Sequence, residues 1–180
     1  MKNKNNNLYY FIVGEASGDL HASNIIKQIQ LQKPNAIFRG LGGRHMVRRG
    51  FVSLASIDKL SIMGFVEVLK NYSFFLKLQK RVLSDINVYQ PHKVVLVDYP
   101  GFNLRMAKKI QRSFNIKIIY YISPQVWAWK ENRLKYIKQY VDKMIVLFPF
   151  EVEWYKKRNL NVAYFGHPLV ELYSKNKTKS

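Results

Sequence analysis

Two carboxylates flank a glycine turn near the start of this chain, in Gly14-Glu15-Ala16-Ser17-Gly18-Asp19, directly after the apolar run Leu8–Val13. An apolar run, two glycines and a long amphipathic segment read as strand, tight turn and helix. Such a turn brings backbone N–H groups and the positive end of a helix dipole to the carboxyl edge of a sheet. Gly14 and Gly18 permit the close approach that such a loop needs. It is not the dinucleotide fingerprint, because Glu15 and Asp19 add negative charge where a pyrophosphate would sit. The pair suits hydroxyl recognition or proton abstraction better. The plainer alternative is a glycine-rich turn capped by Ser17 or Asp19.

Four more stretches carry reactive or binding residue types: Gly40-Leu41-Gly42-Gly43, Asp98-Tyr99-Pro100-Gly101-Phe102-Asn103, Ser123-Pro124-Gln125-Val126-Trp127-Ala128-Trp129 and Gly166-His167-Pro168. Asp98 closes the run Val94–Val97, so it should stand at a sheet rim, partly desolvated, where burial makes a carboxylate a stronger base. Alternatively Asp98 caps the following helix or accepts N–H groups of its own turn. Asn103 as the cap would leave Asp98 free. Trp127 and Trp129 share a face on a strand and diverge on a helix; sugar stacking and core packing are both open to them. His167 occupies a constrained turn. No His or carboxylate set has metal-ligand spacing, so no metal site is expected.

These stretches must be positioned by something, and the apolar pattern says what. Strand-like runs occur at Leu8–Val13, Ala36–Leu41, Lys93–Asp98, Lys117–Ile122, Lys143–Phe148 and Asn161–Phe165, rich in Val, Ile, Tyr and Phe. Between them, Asp19–Gln32, Phe74–Tyr89, Asn103–Phe114, Lys130–Tyr140 and Phe150–Arg158 carry apolar residues at helical spacing, as with Leu78, Val82, Leu83 and Ile86. The alternation predicts an α/β domain: a doubly wound, mostly parallel Rossmann-like sheet with helices on both faces. Ligands of such sheets bind beyond the carboxyl ends of the strands. All five stretches fall there.

At 180 residues the chain is one domain in size. Residues 1–7 read as a disordered polar N-terminus, 8–173 as the domain, and 174–180 as a polar tail or the start of an interdomain linker. With no cysteine, disulfides and thiolate metal sites are excluded. No apolar run is long enough to span a bilayer, and the N-terminus lacks a signal-peptide core. Thirty basic residues against 11 acidic ones suggest an anionic partner. A second explanation is compositional drift, since 21 of the basic residues are Lys and 14 residues are Asn. No nucleic-acid module is recognisable, so no specific nucleic acid is expected. The apolar segment holding Met63, Phe65, Val66, Val68, Leu69, Phe74, Phe75 and Leu76 is edged by Lys59, Lys70, Lys77 and Lys80. It is either an interfacial membrane patch or a core-facing helix.

In order and spacing, these motifs together with Ser61–Val68 and Phe148-Pro149-Phe150-Glu151 resemble the N-terminal half of the lipid-A-disaccharide synthase family. These are glycosyltransferases of the two-domain GT-B type. The resemblance runs from about Tyr10 to Leu169. It implies a hexosyltransferase that passes 2,3-diacylglucosamine from its UDP carrier to 2,3-diacylglucosamine 1-phosphate, with inversion and without cofactor or metal. The product is a β-1,6-linked lipid A disaccharide. It implies peripheral attachment at the cytoplasmic, anionic face of the bacterial inner membrane. Asp98 would be the catalytic base, with Glu15 the second choice. Gly14, Ser17, Gly18, Asp19, Gly42, Gly43 and Asn103 would hold the acceptor, and Ser123, Gln125, Trp127 and His167 would line the cleft. The family is about twice as long, and its C-terminal UDP-sugar domain is absent from this sequence. The chain is therefore expected to be an acceptor-side half, inactive without a complementing half. The alternative is a noncatalytic lipid-binding module.

Overall fold

The computed structural model describes residues 5–56, 72–127 and 131–166. Strands β1 (Asn5–Val13), β2 (Ile37–Gly42), β3 (Val52–Ser56), β4 (Pro91–Val97), β5 (Lys117–Tyr121), β6 (Lys143–Val146) and β7 (Val162–Tyr164) form one sheet. All pairings are parallel, in the order β3-β2-β1-β4-β5-β6-β7. Parallel strands require crossovers, and these supply helices α1 (Ala16–Gln32), α2 (Arg44–Val47), α3 (Tyr72–Tyr89), α4 (Pro100–Phe114), α5 (Leu134–Tyr140) and α6 (Pro149–Lys156). A single 3₁₀ turn, Glu131–Arg133, precedes α5. Right-handed crossovers place α1 and α2 on one face and α3, α4 and α5 in succession on the other. The doubly wound expectation holds.

Central strands covered on both faces need apolar residues on both. Phe11, Ile12 and Val13 of β1 and Val94 to Val97 of β4 are accordingly all buried. Helix α3 turns Phe75, Leu78, Val82 and Ile86 into this core. Phe75 is thus a core residue, not part of a membrane patch: its ring lies 6.2 Å from that of Phe102 on α4. Phe74 is half-buried and Leu76 exposed. The remaining patch residues, Met63, Phe65, Val66, Val68 and Leu69, lie outside the described residues, as do Trp129, His167 and the tail 174–180.

The observed boundaries differ from the apolar runs where hydrogen bonding outranks hydropathy. Strand β1 begins at Asn5, within the segment expected to be disordered, because its backbone pairs with Pro91. Strand β3 goes unseen in the pattern, being five residues of mixed polarity at the sheet edge. Helices α4 and α6 start earlier than expected, each with a proline in its first turn. A proline there loses no hydrogen bond and has its φ already set.

A buried ion pair fastens α3 to the sheet. Asp85 accepts from Arg39 Nε at 2.8 Å, from Arg39 Nη2 at 2.7 Å and from the Tyr10 hydroxyl at 3.0 Å. The Arg39 guanidinium also stacks 4.1 Å from the Tyr89 ring centroid. Asp85 is only 9% exposed, so removing it strands a largely desolvated cation. Asp85→Ala should lose about 3 kcal/mol of unfolding free energy, measured as a lower urea midpoint at unchanged slope. Loss of under about 0.5 kcal/mol would mean the pair behaves as a surface bridge.

Candidate active site

Strand order reverses between β1 and β4: from there the chain winds one way to β2 and β3 and the other way to β5, β6 and β7. The loops leaving β1 and β4 therefore part at the topological switch point, the position at which a doubly wound sheet forms its ligand crevice. Glu15 follows β1 at the N-cap position of α1, with no side-chain cap hydrogen bond; Asp98 follows β4. The two are close enough that the Asp98 charge lifts the Glu15 carboxyl, after partial desolvation as the larger cause. Burial pushes the Asp98 carboxyl above the ordinary Asp value of 3.8, against a smaller opposing pull from the Tyr99 N–H. Tyr99, a residue the sequence reading passed over, is part of the same cluster. Its phenol is raised by burial and then by Glu15, and its ring lies where any Cβ on Gly14 would be. Gly14 thus serves by being bare.

Asp98 and Tyr99 both adopt left-handed backbone, with φ of 48° and 47°. Two successive non-glycine residues in that region cost on the order of 1–3 kcal/mol each. What over-determines them is visible. The Asp98 carbonyl accepts from the Tyr120 hydroxyl at 2.6 Å and from Asn103 Nδ2 at 2.7 Å, and the Asp98 N–H donates to the Tyr121 carbonyl at 3.0 Å. The backbone is held so that the carboxylate leaves the sheet edge. Ile122, at the end of β5, is likewise left-handed with φ 66°. A β-branched residue is an outlier there, and the distortion falls on the same rim.

Several residues expected to touch a ligand instead hold this frame. Asp19 is 3% exposed. Its Oδ1 accepts from the N–H groups of Gly43 and Met46, and its Oδ2 from that of His45. It is the anchor for the first turn of α2, satisfying donors the helix cannot. Gly43 is its donor, and Gly42 leaves room for Met46 and Phe51. Gly18 lets α1 approach Val13 and Val97, which a Cβ would contact at 3.0 and 3.4 Å. Asn103 is fully buried inside α4 rather than at its cap, which is Tyr99. Ser123 is buried, its hydroxyl donating to Glu151 Oε1 at 2.5 Å. Glu151 Oε2 in turn takes the N–H groups of Leu147 and Phe148, closing the start of α6. Nearby, burial first and then Glu151 push the Tyr155 phenol up to about 12, with a hydrogen bond to Ser123 opposing them.

Ser17 and Gln125 are exposed at the rim and remain available. Trp127 is joined by neighbours the sequence reading did not single out. Its ring meets Phe150 edge-on at 5.1 Å, and Phe150 stacks on Phe148 at 5.8 Å. All three are exposed, an aromatic ledge beyond β5 and β6. Among the described residues, no three of His, Cys, Asp and Glu converge as a metal site would require.

A family model described as lipid-A-disaccharide synthetase matches residues 9–180. The lipid-A-disaccharide synthase of Geobacter metallireducens is 40% identical over 169 residues, covering 94% of this chain and 44% of that protein. Lipid-A-disaccharide synthase 1 of Legionella pneumophila (strain Paris) is 39% identical over 168 residues, covering 93% and 44%. For the synthase of Coxiella burnetii (strain Dugway 5J108-111) the figures are 40% over 158 residues, 88% and 42%. The chain thus spans less than half the length of these relatives.

The raised carboxyls have a consequence for stability. The native chain holds the Asp98 proton to higher pH than the unfolded chain does, so stability falls as pH rises through and above 3.8. Asp98→Asn should therefore be more stable than the parent at pH 7, with the gain vanishing below the ordinary Asp value. Thermal melts across pH check this; equal melting temperatures at pH 7 would mean Asp98 is solvated.

Proposed function

Because the chain belongs to the lipid-A-disaccharide synthase family, we propose that it provides the acceptor-side half of a lipid A glycosyltransferase. The reaction is the inverting transfer of 2,3-diacylglucosamine from UDP to the 6-hydroxyl of 2,3-diacylglucosamine 1-phosphate. The observation that carries this reading is the paired carboxylates Glu15 and Asp98 at the switch point, both held above their ordinary values. Inverting transfer needs a base on the acceptor hydroxyl, on the face opposite the departing UDP. A half-buried carboxylate with a raised pKa meets that need. Asp98 takes the proton as the acceptor oxygen attacks the anomeric carbon and the bond to UDP breaks. Glu15, across the crevice, orients the acceptor, while burial keeps the Asp98 carboxyl basic. Ser17 and Gln125 offer polar contacts to sugar hydroxyls, and the Trp127 ledge offers an apolar face.

The donor nucleotide would be held by the C-terminal half that the longer relatives contain. The reaction would run at the cytoplasmic face of the inner membrane, since both substrates are amphiphiles. No helix among the described residues is long and apolar enough to cross a bilayer, so attachment would be peripheral, with Leu76 and Phe74 at the lipid boundary.

The test is reconstitution with the C-terminal half of a relative. The mixture should transfer sugar, and the 180-residue chain alone should not. Asp98→Asn in that mixture should lower kcat on the order of 100-fold or more. Turnover within a few-fold of the parent would move the base to Glu15. Binding of acylated sugars with no turnover in any mixture would favour a noncatalytic lipid-binding module. Separately, Leu76→Ser with Phe74→Ser should weaken vesicle binding several-fold while leaving the thermal transition in place.

A further inference from the structure

The acidic crevice is a poor place for a phosphate, because Glu15 and Asp98 would repel it. A better place lies alongside. Helix α4 carries Arg105, Lys108, Lys109 and Arg112 at steps of three, one and three, which puts them on one stripe. They line a groove of about 620 Å³ between α3 and α4, closed on the far side by Arg133 and Tyr136. Among the described residues no carboxylate lines it, and its apolar wall is Leu76 and Leu104. Its upper end is Pro100 and Gly101, the residues that follow Asp98 and Tyr99.

Like charges three and four apart disfavour a helix, and the partners seen here are neutral. Lys109 Nζ donates to Gln79 Oε1 at 2.8 Å, Arg112 Nη2 to the Tyr140 hydroxyl at 3.4 Å, and the Lys108 ammonium lies 5.8 Å from the Tyr136 ring centroid. Among the described residues the stripe is offset by rings and an amide, not by counter-charge. A multiply charged anion complements such a stripe, and guanidinium groups match phosphate oxygens in geometry as well as charge.

We propose that the groove between α3 and α4 binds the phosphate of a phosphorylated amphiphile, its acyl chains leaving past Leu76. Taking that amphiphile to be the sugar acceptor rests on the transferase reading; the anion site does not. An acceptor so held has its phosphate in the groove and its hydroxyl toward Asp98, which separates the charge that needs neutralising from the proton that needs removing.

Equilibrium binding of the 180-residue chain to phosphatidylcholine vesicles doped with phosphatidic acid tests this without any turnover. Binding should be saturable and stronger than to phosphatidylcholine alone. The triple variant Arg105→Gln, Lys108→Gln, Arg112→Gln should bind roughly 100-fold more weakly. A control with the same charge loss elsewhere, Lys27→Gln, Lys156→Gln, Lys157→Gln, should stay within about threefold of the parent. Equal losses in both variants would overturn the site in favour of diffuse charge. So would undiminished binding by the groove variant, and so would glycerol 3-phosphate binding as tightly as the vesicles, which would make the ligand a free phosphate. If circular dichroism shows the triple variant unfolded, Arg105→Gln alone, at an exposed position, carries the test with a smaller loss in the same direction. Parent chain that ignores every vesicle would sink the membrane reading as well; vesicle binding indifferent to the groove would sink only this one.

Discussion

At the ends of β1 and β4 a single buried amide lies among three backbone carbonyls. Asn103 Nδ2 lies 3.3 Å from the Ile12 carbonyl, 3.2 Å from that of Val97 and 2.7 Å from that of Asp98. A carbonyl buried without a donor costs about 1–3 kcal/mol, so an apolar residue at 103 would destabilise the sheet where it splits. The amide must turn its nitrogen toward all three. That orientation leaves its Oδ1 with no donor among the described residues. The crevice, the left-handed turn at Asp98 and Tyr99, and the first turn of α4 all hang on this contact.

From that anchor the chemistry of the rim follows. A carboxylate at the end of a straight strand would be solvated and acidic. Here Asp98 opens a two-residue left-handed turn, and desolvation raises its proton affinity. Glu15 arrives from the other side of the split, and its own carboxyl is raised by partial burial and then by the Asp98 charge. The strain is local, and the rigid sheet below bears it. The result is an acidic crevice in a protein of net charge +19, so the surrounding field draws anions toward the molecule while the crevice itself turns them away. Position within the fold decides what each charge is for.

The same separation explains why so many residues of the reactive-looking motifs serve the frame. A ligand site in a doubly wound sheet is made of loops, and short loops are stable only if their own N–H and C=O groups are satisfied. Asp19 does this for the start of α2 through three N–H contacts and Glu151 for the start of α6 through two. Small polar residues in loops after strands carry the same signature whether they bind a substrate or a neighbouring turn. Ser123 and Asp19 illustrate the ambiguity; Asp98 and Glu15 stand apart in having carboxyls raised by burial.

Alternation of Val-rich runs with helical spacing determined the parallel, doubly wound architecture, because burial on both faces leaves that pattern little choice. The sequence also determined which loops share a rim: the strands are parallel, so every loop leaving a strand exits on one side. It did not reveal β3, whose mixed polarity suits an edge, or the core role of Phe75, which depends on Phe102 lying opposite. Nor did it say which of Glu15, Asp19 and Asp98 remains free. That choice belongs to tertiary structure, because a carboxylate's proton affinity is set by which N–H groups and charges surround it, and those come from strands far apart in the chain.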